Sequence, residues 1–116
     1  DERGLAPDGW HVPSNEDWSN LESHLGEDDA GDKMKSTTTD WLDDGEGTNE
    51  SGFNAFPCGK RLDTGMFQDE GFMACYWAFG QNEYGDTKPR CLDYEDYLGN
   101  AYHNKSYGFQ VRCLKD

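Results

Sequence analysis

Three things are scarce in this chain, and each shortage excludes something. Basic residues number 10 against 24 Asp and Glu, for a net charge of −14. Nucleic-acid phosphates and an anionic membrane surface would both be repelled by such a chain. No apolar run approaches the roughly 20 residues that a membrane-spanning helix needs. The four cysteines, Cys58, Cys75, Cys91 and Cys113, include no Cys-x-x-Cys pair, and only His11, His24 and His103 could join them. The close ligand spacing of a structural zinc site is therefore missing. An even cysteine count in a small, acidic, loop-rich chain instead fits an oxidising compartment with one or two disulfides. All three complete pairings remain open, with free buried thiols as the alternative.

What is present argues for a single α+β domain. Hydrophobic content is low at 34%, yet 16 of the 116 residues are aromatic, so a few large rings are expected to build the core. Trp18, Trp41, Trp77 and Trp10 are assigned to that core rather than to sugar stacking. Eighteen of the 24 acidic residues precede position 71, which serves solubility first and divalent-cation binding second. The start at Asp1-Glu2-Arg3-Gly4 reads as a processed product or an excised domain.

One helix is well signalled. Ser14 stands three residues before Asp17, an acidic form of the capping box. Trp18, Leu21 and Leu25 then share a face, and Gly26 is a natural stop. This spacing predicts a helix over 14–25, with a second short one around Asp28 to Met34. Positions 36–50 read as a long loop pinned by Trp41 and Leu42, and Phe53 to Phe67 as short extended pieces between turns. Strands are expected at Phe72 to Phe79, with Met73, Cys75, Trp77 and Phe79 on one parity. Further strands are expected near Arg90 to Tyr94, Ala101 to His103 and Gly108 to Leu114. No βαβ alternation is visible, so the sheet is expected to be mostly antiparallel with helices to one side.

The most unusual stretch runs from Phe79 to Asn104. Its 26 residues include four Tyr, three Asn, three Asp, three Gly and one His. Tyrosine offers rigid contact area at low entropic cost, and Asn, Asp and Gly offer adaptable hydrogen bonding, the composition of a paratope. Cys91 and Leu92 read as scaffold within it. That narrows the candidate ligand-binding residues to Gln81, Asn82, Glu83, Tyr84 and Asp86, together with Tyr94, Asp96, Tyr97, Asn100, Tyr102, His103 and Asn104. His11, beside Trp10 and Pro13, is expected to make a structural hydrogen bond.

Calcium needs six to eight oxygens. Asp40, Asp43, Asp44 and Glu46, with Asn49 and Glu50 nearby, form one candidate for a structural calcium ion; Asp93, Glu95 and Asp96 form another. No EF-hand spacing is present, and no other cofactor is indicated. Nucleophilic catalysis would need a thiol beside a base or a cation. The acidic surroundings work against that, so no catalytic residue is assigned.

Several segments together resemble one family, the Fibrobacter succinogenes major paralogous domain. They are Gly4 to Ser14 with Trp18 and Leu21, Asn49 to Pro57, Tyr76-Trp77, and Asn104 to Asp116. The resemblance implies a C-type-lectin-like fold related to formylglycine-generating domains, on bacterial surface or secreted proteins. The family's usual strand region ahead of Gly-Trp-His-Val-Pro-Ser is absent, so a neighbouring chain or segment would complete the sheet. Ala6 stands where many relatives carry a cysteine that pairs with the last one. The cysteine pair of the formylglycine-generating enzymes has no counterpart here. C-type-lectin-like domains also serve as variable proteins of diversity-generating retroelements, in which Asn codons drift to Tyr, Asp, His, Ser and Gly. The composition of Phe79 to Asn104 matches that pattern. The implied function is non-enzymatic binding of a protein or glycan outside the cell. The alternatives are a structural subunit of a surface assembly, in which copies of the chain self-associate, and a divergent enzyme.

Overall fold

The computed structural model describes residues 6–38, 40–42, 45–78, 89–93, 98–100 (of Asn100 only the backbone) and 107–116. The first helix, α1, spans Asn15–Leu25 and follows from local chemistry. Asp17 donates its backbone N–H to Ser14 Oγ (3.1 Å), and Ser14 donates its own to Asp17 Oδ2 (3.0 Å). The expected capping box thus satisfies two of the first-turn donors. Gly26 ends the helix at φ 102°, where its N–H reaches Glu22 O. Trp18 is buried, with Leu21 and Leu25 packed against the core beside it.

Helix α2, Ala30–Met34, occupies part of the expected second helix and buries Ala30, Gly31 and Met34. Lys33 donates from Nζ to Leu25 O at 2.7 Å, tying it to the last turn of α1. The segment after α2 folds back onto it, with Thr48 N–H bonded to Asp32 O and Ser51 N–H to Lys33 O. That return requires a glycine at 47, because a Cβ there would lie 2.2 Å from Asp32 O. Trp41 is buried as expected and donates its indole N–H to Ser36 Oγ and Ala55 O, both at 3.1 Å. Leu42, expected to pin this loop with it, is 46% exposed.

Every strand is short. Strand β1 is Trp10–His11, β2 Lys60–Arg61, β3 Phe67–Gln68, β4 Ala74–Tyr76, β5 Arg90–Leu92, β6 Gly99–Asn100 and β7 Leu114–Lys115. All named pairings are antiparallel: β1 with β7, β2 with β3, and a three-stranded sheet in the order β4-β5-β6. With the two helices among the described residues, this is an α+β architecture.

Three strand expectations need correction. The strand placed at Phe72 begins only at Ala74, because Phe72 and Met73 turn their N–H groups back to Asp69 O. Ala74, Tyr76 and Ala78 carry the core contacts rather than the Met73 parity, although Cys75 is buried too. The strand placed over Gly108 to Leu114 is broken into single bridges, Arg61 with Gly108 and Tyr76 with Gln110, before β7. Parts of the other expected strands, including Tyr94 and Ala101 to His103, lie outside the described residues.

The core holds Trp18, Met34, Trp41, Tyr76, Leu92 and Leu98 with four alanines. Phe53 meets Tyr76 edge-on at 5.4 Å between centroids, and Trp18 lies 5.6 Å from Tyr76. Burial pushes the Tyr76 phenol up to about 12. Trp10 departs from its core assignment at 45% exposure, since the two-residue β1–β7 pair leaves its ring uncovered.

Candidate functional site

The three-stranded sheet decides which candidate residues can share a surface. Tyr76 pairs with Arg90, and Arg90 with Asn100; at the opposite end Ala74 pairs with Leu92. The chain therefore leaves β4, enters β5 and leaves β6 at one end. It leaves β5 and enters β6 at the other. Segments 79–88 and 101–106 are attached at the first end, and 94–97 at the second.

Covalent and polar contacts hold this sheet. A disulfide joins Cys75 to Cys91, directly opposite each other in register. This is one disulfide of the one or two expected, not a complete pairing: Cys58, exposed, and Cys113, half-buried, are free thiols. Two buried cations fix the two ends of β5. At the first end, Arg90 is 3% exposed and reaches back to α1, with Nη2 3.1 Å from Glu22 Oε2 and Nη1 donating to Ser19 Oγ at 3.4 Å. Toward the second, Lys35 is 1% exposed and donates from Nζ to Asp93 O at 2.9 Å. Neither residue carries a signal in the sequence that marks it for this role. A fully buried Lys or Arg is rare unless paired, and nothing local announces where a nonlocal partner will stand.

The closing segment borders β4 on its other side. Gln110 donates its N–H to Cys75 O and accepts one from Trp77, both at 2.9 Å. Trp77 in turn packs edge-on against Phe109 at 4.8 Å, and its carbonyl accepts from the Trp18 indole at 3.3 Å. The point from which segment 79–88 departs is thereby tied to α1 and to the closing segment.

Of the expected binding residues, Asn100 has its backbone in β6. Gln81, Asn82, Glu83, Tyr84, Asp86, Tyr94, Asp96, Tyr97, Tyr102, His103 and Asn104 lie outside the described residues. So do Asp43, Asp44 and Glu95 of the calcium candidates, while Asp40 and Glu46 are exposed. Among the described residues, no three His, Cys, Asp or Glu side chains come together to hold a metal ion.

His11 does make the expected structural contacts. Its Nδ1 lies 2.7 Å from Asp116 Oδ1 and its Nε2 3.0 Å from Asp17 Oδ2. Two carboxylates facing two ring nitrogens favour the doubly protonated imidazolium, and they raise its pKa above 6.5, Asp116 contributing most.

Among known proteins, the model of the Fibrobacter succinogenes major domain matches residues 1–115 of the chain. No curated protein and no solved structure matches it.

Proposed function

Because the chain belongs to the Fibrobacter succinogenes major domain family, we propose that it is a non-enzymatic binding domain. In this reading one end of its β4-β5-β6 sheet presents a recognition surface for a protein or glycan outside the cell. The observation that supports this most is the strand register. Segments 79–88 and 101–106, which hold Tyr84, Tyr102 and His103 among Asn and Asp, are attached at the same end of a disulfide-linked sheet. Variable polar segments on a rigid support are the usual arrangement of a recognition site. Strand β5 ends and β6 begins at the opposite end, so the Tyr94–Tyr97 stretch that follows β5 is left out of this proposal. The scaffold is read as C-type-lectin-like and the two segments as candidates for retroelement-driven diversification. The disulfide fits an oxidising compartment.

The test is a glycan array and a panel of purified surface proteins, probed with the oxidised chain. For any ligand retained, Tyr84→Ala and Tyr102→Ala should each weaken binding by about tenfold, as central aromatic contacts do. Tyr97→Ala should leave it unchanged. Equal affinity for all three variants, with melting curves like the parent, would defeat this reading.

A further inference from the structure

A second candidate site stands apart from that surface and does not depend on it. An open depression of about 720 Å³ is walled by Leu42, Phe56, Pro57 and Phe67, with the carboxylates of Asp40 and Glu70 on its lining. Its size is that of a small-molecule site. Three chain segments build it through a single buried glycine. Gly71 accepts the Leu42 N–H on its carbonyl (2.8 Å) and donates its own N–H to Pro57 O (2.8 Å). The glycine is required twice over, by a φ of +88° and by the 2.8 Å that would separate a Cβ from Leu42 Cδ1.

The walls carry large apolar side chains that remain open to solvent. Leu42, Phe56 and Phe67 are 46%, 41% and 72% exposed. The charge is one-sided. Among the described residues, no Lys or Arg lines the depression. Glu70 makes no hydrogen bond or ion pair among the described residues, and Asp40 accepts only from the Thr38 hydroxyl, at 3.0 Å. The nearby cations are committed elsewhere: Lys60 pairs with Asp69 at 3.5 Å, and Arg61 stands 5.7 Å from the Phe67 ring centroid. Arg61, which is not part of the lining, stands at the Phe67 ring, so Phe56, Asp40 and Glu70 are left to receive a positive group.

From this combination we propose that the depression binds a small alkylammonium compound, with its cationic head between the two carboxylates and its apolar groups against Phe56 and Leu42. Aromatic faces attract ammonium groups through the ring quadrupole, and quaternary ammonium groups are held this way. The unpaired carboxylates add the long-range attraction, strengthened by a net charge of −14. An anion would meet repulsion, and a neutral apolar molecule would leave both carboxylates uncompensated.

Choline is the probe, with 3,3-dimethyl-1-butanol as its neutral isostere, each titrated into the oxidised full chain and followed by two-dimensional NMR. Choline should give saturable shifts confined to positions 40–42, 56–58 and 67–71, and the isostere should bind at least about tenfold more weakly. Asp40→Asn combined with Glu70→Gln should lose a similar factor without lowering the melting temperature. Phe56→Ala should weaken choline as well, separating ring recognition from charge alone. The exposed thiol of Cys58 also lines the depression, whereas Cys113 lines a different one. Choline should therefore slow iodoacetamide labelling of Cys58 and leave Cys113 unaffected. Nα-acetyl-lysine amide, whose side-chain ammonium is free, is the remaining arm: binding tighter than choline would reassign the site to a basic side chain of a protein partner and overturn the small-molecule proposal. Equal binding of the isostere, shifts elsewhere on the chain, or an unchanged Cys58 labelling rate would overturn it too.

Discussion

His11 stands between Asp116 and Asp17, and both of its ring nitrogens are engaged. Protonation of this one side chain joins the entry to α1 with the last β-strand pair. Its pKa is raised from 6.5, so its stabilising contribution is complete below that unfolded-state value and is lost as pH rises through the folded one. Asp17 works in the opposite direction. The Ser14 backbone N–H, with His11 adding to it, lowers its pKa from 3.8; its contribution is present above that value and lost as pH falls through the folded one. The pair is therefore most effective between the carboxylate range and pH 6.5. NMR titration should place the His11 pKa above 6.5, and the melting temperature should fall as the pH climbs past it. In His11→Gln that alkaline slope should disappear. A slope retained in the variant would assign it to another group.

At the scale of elements, the Cys75–Cys91 link holds β4 to β5 across a separation of 16 residues. Closing a loop of that size in the unfolded chain corresponds to about 3 kcal/mol. Cys75→Ser with Cys91→Ser should lower the free energy of unfolding by about 2–4 kcal/mol in a urea titration. Loss of under about 1 kcal/mol would show that hydrogen bonding and packing alone set the strand pairing. Elements also mark where sequence reading succeeds and stops. Helix α1 was legible from start to finish because its capping box, apolar spacing and terminal glycine are all local. Strands β4 and β5 were legible in position, the extent of β4 was not, and no strand was expected at Trp10–His11. Phe72 and Met73 carry strand-forming side chains, yet Asp69 O captures both of their N–H groups. The disulfide partner of Cys75 could not be read, since it depends on a register set by a return of the chain. For the same reason the composition of Phe79 to Asn104 identified a candidate surface without showing that 94–97 is attached at the other end of the sheet.

Across the whole molecule, a net charge of −14 opposes compaction through self-repulsion. Raising the ionic strength from about 0.01 M to about 0.15 M shortens the screening length from about 30 Å to about 8 Å. The melting temperature should rise over that range at neutral pH, while choline binding weakens. A fall in melting temperature would show that local pairs such as Lys60–Asp69 outweigh the general repulsion. The pairing of β1 with β7 has a mechanical consequence. Trp10 lies opposite Lys115, His11 opposite Leu114, and the Asp116 N–H reaches back to Gly9 O. The chain flanks before Trp10 and after Lys115 thus meet at one edge of the molecule. Tension applied through them would part this antiparallel pair one bond at a time, as a zipper opens, rather than shear it along its length. The first yielding would occur at low force, and the residues between Cys75 and Cys91 would add no extensible length while their sulfur–sulfur bond is intact.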